Sequence, residues 1–341
     1  MGATIQPDRI LKDLAELWVS LAKPNGEASS GVLRACAMTL VVLADAAEDP
    51  NDIGETLASL MREHPSRVIV VRVSKPGEGG ELAARVFAQC WMPFGQRRQI
   101  CCEQIEITAP EDLLSDVPGV LLPLVVPDLP VILWCRISRL LQSPVIEDFA
   151  GIIRKVIIDT GDFDASTDVL RQVASAVRSG LIVADLSWTR LTRWRELIAQ
   201  VFENPAYFSQ LRSVTDVNIA YQGDKPSFGV FYMEAWLQAC LEKAGSRPQV
   251  RLEHLPGDGR AGLSRTSFSS GDPASLSVSV EQVDGEAADV RVNALTNRTV
   301  FPQPSDYVLL REELAITGRD PAFESSLQVA ARLAAEYPGE S

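Results

Sequence analysis

Apolar residues recur along this chain at two spacings, one helical and one strand-like, and through its first half the two take turns. Ile10, Leu14, Leu17, Trp18 and Leu21 share one side at helical spacing, which predicts an amphipathic helix from Ile10 to Leu21. A polar stretch follows, Lys23 to Ser30, rich in Pro, Gly and Ser. Strands are then predicted at Thr39 to Leu43, Arg67 to Val73, Gln99 to Thr108, Val131 to Cys135 and Lys155 to Asp159. Helices are predicted at Ile53 to Glu63 (stopped by Pro65), at Glu81 to Trp91, briefly from Glu111, and at Ser166 to Ser179. The last is capped by Ser166 or Thr167 and stopped by Gly180. Strands alternating with helices predict an α/β domain over residues 1–180, with a mainly parallel sheet and helices on both faces.

After Gly180 the pattern changes. Leu186 to Phe202 reads as a helix with Ser187 as its N-cap, and Leu191, Trp194, Ile198 and Val201 as its buried stripe. Ser213 to Tyr221 alternates as a strand, Phe228 to Lys243 is helical up to Gly245, and Gln249 to His254 is a strand. Pro256 to Pro273, rich in Gly and Ser, reads as a mobile loop. Leu276 to Val283 and Asp289 to Leu295 flank an Asp284-Gly285 turn signal, so they should pair antiparallel. Asp320-Pro321 opens a final helix through Glu336. Residues 181–341 are therefore expected to form a smaller α+β domain.

Composition narrows the function classes. With 32 basic against 45 acidic residues the net charge is −13, which disfavours nucleic-acid backbones and anionic membrane surfaces alike. The longest apolar stretch, Val117 to Leu133, is broken by Pro118, Pro123, Pro127, Asp128 and Pro130, so no spanning helix is expected. Met1 to Ile10 lacks the apolar run of a signal peptide, and a soluble, cytoplasmic protein is the expectation. The cysteines Cys36, Cys90, Cys101, Cys102, Cys135 and Cys240 mostly sit in apolar runs and read as reduced structural thiols.

No catalytic constellation stands out. Pro76-Gly77-Glu78-Gly79-Gly80 lies where a phosphate loop could, but it lacks the GxGxxG order and the Walker lysine, and Glu78 and Glu81 oppose an anion. There is no GxSxG elbow, and His64 and His254 are the only histidines; each reads as a capping or surface residue. Neither Glu103 with Glu106 nor Asp159 with Asp162 defines an acid–base pair by spacing alone. No metal or cofactor is expected. What does stand out is tryptophan beside arginine, the pair that interfaces favour. Ile132, Trp134 and Arg136 share one face of a strand, with Arg136 at its C-terminal end, where open α/β sheets place ligand crevices. Trp188 and Arg195 flank the stripe of the next helix, and Arg193 points away from it.

Several segments together resemble one family. They are Arg34-Ala35-Cys36 leading into Thr39-Leu40-Val41-Val42; His64-Pro65-Ser66-Arg67; and Ile100-Cys101-Cys102-Glu103-Gln104-Ile105. To these add Pro127-Asp128-Leu129-Pro130-Val131-Ile132-Leu133-Trp134, and Ala184-Asp185-Leu186-Ser187-Trp188 through Trp194-Arg195-Glu196-Leu197. In order and spacing they resemble the OpcA family, the glucose-6-phosphate dehydrogenase assembly proteins; Cys135 and Ser187 depart from its more usual Trp and Asn. The resemblance implies a non-catalytic partner that binds glucose-6-phosphate dehydrogenase and raises its activity in the oxidative pentose phosphate pathway, supporting NADPH supply. It marks His64, Arg67, Glu103 and Trp134 as motif residues, and Arg136, Trp188, Arg193 and Arg195 become candidate partner-binding residues. Two rival readings stay open: a sugar-phosphate enzyme, with Arg67, Arg136 and Glu103 converging on one crevice, and a thiol-based redox adaptor built on Cys101, Cys102 or Cys135.

Overall fold

The computed structural model describes residues 6–21, 32–75, 83–93, 99–142, 145–162, 167–256, 261–270 and 276–337. In chain order the first elements are α1 (Pro7–Leu21), β1 (Val32–Arg34), β2 (Met38–Asp45), α2 (Pro50–Glu63), β3 (Ser66–Ser74), β4 (Ala83–Trp91) and β5 (Gln99–Pro110). A 3-10 turn leads to α3 (Val117–Leu121), then β6 (Val131–Cys135), α4 (Val145–Phe149), β7 (Lys155–Ile158), α5 (Thr167–Arg178) and β8 (Ile182–Asp185). The second half adds α6 (Leu186–Thr189), α7 (Thr192–Phe202), α8 (Pro205–Phe208), β9 (Asp216–Gln222) and α9 (Phe228–Lys243). It continues through β10 (Gln249–His254), β11 (Gly262–Ser269), β12 (Val278–Gln282), β13 (Ala287–Val292) and β14 (Leu295–Val300) to α10 (Asp306–Ala315) and α11 (Pro321–Glu336).

The chain folds as two units, each drawn from several segments. The first holds Met1–Asp159, Leu181–Ala184 and Asp306–Thr317; the second holds Thr160–Gly180, Asp185–Ser305 and Gly318–Ser341. The boundary expected at residue 180 is thus one of several crossings.

The first unit is built on an eight-stranded sheet. Its path is β1-β5-β3-β2-β6-β7-β8, with β4 added to β5. The pairs β2–β3, β2–β6, β3–β5, β6–β7 and β1–β5 are parallel, and β4–β5 is antiparallel. Strands β2, β3 and β6 are buried on both faces, as their unbroken runs of Val, Ile and Leu require. α2 begins at an Asp49 cap with Pro50 in its first turn, and it buries Ile53, Leu57, Leu60 and Met61.

The second unit carries a six-stranded sheet in the order β10-β9-β11-β12-β13-β14, parallel only at β10–β9. The Asp284-Gly285 turn joins β12 and β13 antiparallel. α9 packs on the sheet and on α11, which packs in turn on α5. Asp320 caps α11 by accepting from the Ala322 and Phe323 N–H groups.

Some expectations are corrected. The helix expected over Glu81 to Trp91 is not found at residues 83–91. Residues 83–91 form β4, held along its length by β5, because ladder pairing outweighs the helix preference of Ala83, Ala84 and Ala88. Ser187 is not the N-cap; Asp185 takes that place, and the single helix expected from Leu186 is two, α6 and α7. The Pro256 to Pro273 loop contains β11, whose Thr266 and Phe268 alternate into the core. Among the elements without a forecast are β1, β8, β14, α4, α8 and α10. Lys23 to Ser30, the Pro76 to Gly80 loop and Ser166 lie outside the described residues.

The cysteine expectation also changes. Cys90 and Cys101 stand opposite each other on β4 and β5 and form a disulfide. Cross-strand neighbours bring their Cβ atoms within bridging distance, which spacing along the chain does not reveal. Cys102, on the other face, and Cys135 are free and buried. Burial pushes the Cys102 thiol up to about 11 and the Cys135 thiol up to about 12, which fits inert core thiols.

Candidate functional site

The motif residues His64, Arg67 and Glu103 gather at the start of β3. His64 is the C-cap of α2, its N–H donating to Leu60 O at 2.7 Å. Glu103, 3% exposed, accepts from Arg67 Nε at 2.6 Å, from Trp18 Nε1 of α1 at 2.5 Å and from Arg34 at 2.7 Å. Arg67 donates also to Leu124 O at 2.5 Å. A carboxylate with three cationic or N–H donors is fully compensated, so this cluster ties α1, β1, β3 and β5 together. Trp134 is buried in β6.

Arg136 lies at the other end of the sheet. Its guanidinium stacks on the Trp134 ring, 4.6 Å from the centroid, as strand alternation predicted. Nε donates to Glu48 Oε2 at 2.7 Å and an Nη donates to Asp306 Oδ2 at 2.8 Å. Burial would lower the Arg136 pKa, but the bonds to Asp306 and Glu48 outweigh it and hold it above the usual value. Beside it Arg139 bridges Asp45 and Glu111. Burial would raise the Asp45 pKa, yet the Ala47 N–H and Arg139 hold it below the usual range. The turn from β2 into α2 reads Asp45-Ala46-Ala47-Glu48-Asp49-Pro50. It offers carboxylates where an anion cradle would offer glycines and free N–H groups. Arg136 therefore does not converge with Arg67 and Glu103, since β3 begins level with the start of β6 while Arg136 follows its end.

In the second unit Trp188 is buried rather than displayed. Its Nε1 donates to Asp320 Oδ2 at 3.1 Å, and its ring meets Tyr232 and Phe323, each with centroids 6.0 Å away. Arg195 covers the ring at 3.5 Å. Arg193 is exposed and pairs with Glu196 one helical turn on. Sequence reasoning missed Asp185, wholly buried, which accepts from Thr160 N and Oγ1, Ser187 N and the Tyr232 hydroxyl. It also missed Lys155, whose ammonium donates to Glu313 Oε2 at 2.9 Å, Glu313 O at 2.7 Å and Ile316 O at 3.1 Å. Among the described residues no cluster of His, Cys, Asp and Glu has the makings of a metal site.

Fold and clusters define an α/β protein of two units, one wound around a mainly parallel sheet and one around a mixed sheet, whose buried charges brace its own elements. The sequence profile of the glucose-6-phosphate dehydrogenase subunit N-terminal domain matches residues 58–175, and that of the subunit's C-terminal domain matches residues 182–327. The chain belongs to the OpcA family of glucose-6-phosphate dehydrogenase assembly proteins. A curated relative from Nostoc punctiforme, named for the OxPP cycle as an OpcA protein, is 29% identical over 182 residues, covering 52% of this chain and 38% of the relative. One of the same name from Synechocystis is 27% identical over 193 residues, covering 56% and 39%. The matched region thus spans about two fifths of the length of these relatives. Among solved structures, a dehydrogenase from Chromobacterium violaceum shares 10% identity with a TM-score of 0.47, covering 89% of this chain and 94% of that one. An oxidoreductase from Sinorhizobium meliloti shares 9% identity with a TM-score of 0.47, covering 87% and 95%. At such scores the likeness is one of loose layout and says nothing of activity.

Proposed function

We propose that this chain assembles with glucose-6-phosphate dehydrogenase and activates it without catalysing a reaction of its own, in the cytoplasm and in support of NADPH supply. The observation that carries the reading is the succession of both family domains along one chain. The C-terminal edge of the parallel sheet supports the non-catalytic part. There the carboxylates of Asp45, Glu48, Glu111 and Asp306 outnumber the cations beside them, Arg136, Arg139 and Lys75, which disfavours a phosphate. Among the described residues no helix is long and apolar enough to cross a membrane. An activator of this kind works by binding the active oligomer more tightly than the inactive one; about 1–3 kcal/mol of difference shifts the balance roughly 5–150-fold. The test is to mix the purified chain with the dehydrogenase of the same organism and follow NADPH formation. A saturable rise in rate, together with co-migration of the two proteins, is expected. An unchanged rate and separate migration would refute the reading.

The Cys90–Cys101 disulfide favours a second reading, in which a dithiol–disulfide pair controls the same partnership. Counting thiols with and without reductant, alongside the activation assay, separates the two.

A further inference from the structure

The sheet of the second unit buries one face and shows charged side chains on the other. Val217, Ile219, Phe268, Val278 and Val280 alternate to the buried side, where Phe202 of α7 meets Phe268 with ring centroids 5.7 Å apart. On the opposite side the ladder registers set one row straight across all six strands. It reads Glu253 (β10), Ala220 (β9), Arg265 (β11), Glu281 (β12), Asp289 (β13) and Arg298 (β14). One level along, Arg251 and Arg291 flank Ser267 and Ser279. The charged side chains run from 28% exposed at Glu281 to 63% at Arg251, with only Asp289 enclosed, at 7%.

This face is neutral on an acidic chain. Arg251, Arg265, Arg291 and Arg298 balance Asp216, Glu253, Glu281 and Asp289, whereas the whole chain carries −13. Asp284 and Glu286 lie beyond its margin, in the turn after β12. Opposite signs are also linked along the row. Arg265 reaches Glu253 at 2.9 Å and Glu281 at 3.9 Å, Arg291 reaches Glu281 at 2.7 Å, and Arg298 holds Asp289 at 2.7 Å. Covering the face therefore strands no charge in the row. Laid against a reversed copy of itself, the row sets Glu253 on Arg298, Arg265 on Glu281 and the uncharged Ala220 on Asp289. No like charges meet, the condition for selecting a partner by charge. At the centre Ser267 and Ser279 are small enough to let a second sheet come to the ordinary packing distance of about 10 Å. Beyond Glu281 and Arg298, alternation adds Val283 and Val300, 45% and 72% exposed, as apolar surface to cover.

We infer that two copies of this chain associate through these faces, stacked about a two-fold axis that runs parallel to the strands between β11 and β12. Such an axis reverses the strand order and keeps each level, so β11 of one copy lies over β12 of the other, and β10 over β14. Stacked sheets cross at about 30°, which keeps the match closest at the axis, where Arg265 meets the second copy's Glu281 twice over. Sedimentation of the full chain, loaded at up to about 100 µM and without any dehydrogenase, should show a dimer that weakens as salt is raised. Arg265→Glu and Glu281→Arg should each weaken self-association by at least about tenfold, because each sets like charges across the axis. Mixing the two variants should restore a dimer. One copy then brings carboxylates at both positions and the other brings guanidiniums, a rescue that no effect within a single copy can produce. Circular dichroism checks that each variant is folded. Ser279→Trp leaves the charges alone, puts a ring at the axis and should give monomers as well. A parent monomeric throughout, single variants as dimeric as the parent, or a mixture no more associated than its components would each overturn the inference. If the parent is monomeric while Arg265→Glu lowers activation of the dehydrogenase, the face meets that protein instead. The inference then fails and the proposed function stands.

Discussion

At the scale of single residues the buried charges decide most. Lys155 is enclosed with Glu313 and gives all three of its donors to α10 and the turn after it. Lys155→Met takes the ammonium away from a buried carboxylate and should cost about 3–5 kcal/mol in urea unfolding, while Lys155→Met with Glu313→Leu should recover much of it. Glu234 of α9 is a different case. Burial raises its pKa to about 7, so it is ionised in the unfolded chain from about 4.5 upward but in the folded one only near neutrality. The folded state therefore holds the extra proton between those values, and stability from this group falls as pH rises through 7. Glu234→Gln should melt higher than the parent at pH 7.5, the difference vanishing near pH 5. Neither residue could be picked out from the sequence. Lys155 opens an ordinary apolar strand, and its partner lies 158 positions away. Arg136 was legible, because alternation alone put it on the Trp134 face; its carboxylate partners were not.

Among elements, the strands of the parallel core were legible from their runs of Val, Ile and Leu. β4 was not, since Ala-Ala-Arg-Val-Phe-Ala suits a helix until β5 supplies the ladder. The disulfide fixes this edge. Cys90 and Cys101 close a loop of sequence separation 11, which constrains the unfolded chain by about 3 kcal/mol. Reduction should raise amide exchange in β4 and leave β2 and β3 protected, read by mass spectrometry. Equal protection before and after reduction would show that pairing alone holds the strand. Asp185 shows a second limit of legibility. Its place before α6 suggests a cap, and it is one, but the bonds from Thr160 and Tyr232 depend on contacts no local pattern contains.

For the molecule as a whole, the proposed partnership raises the question of which surface would meet the dehydrogenase. Trp188 cannot touch a partner directly, being buried under Arg195. Arg136→Glu would place a third carboxylate beside Glu48 and Asp306 and should destabilise the first unit, so it tests the fold more than the interface. Arg193→Glu disturbs only an exposed pair and should change stability by less than about 0.5 kcal/mol. If α7 is part of the interface, this variant weakens activation at matched concentration and low salt; full activation by Arg193→Glu places the contact elsewhere.

The crossings of the chain between units have a consequence for its birth on the ribosome. The first unit needs Asp306–Thr317, which is made only after almost all of the second. Until that stretch emerges, Lys155 waits without Glu313, and Arg136 without Asp306. The nascent first unit must therefore persist half-finished through the synthesis of about half the protein, and a chain stalled before residue 306 should be captured by chaperones where one stalled after the final helix is not.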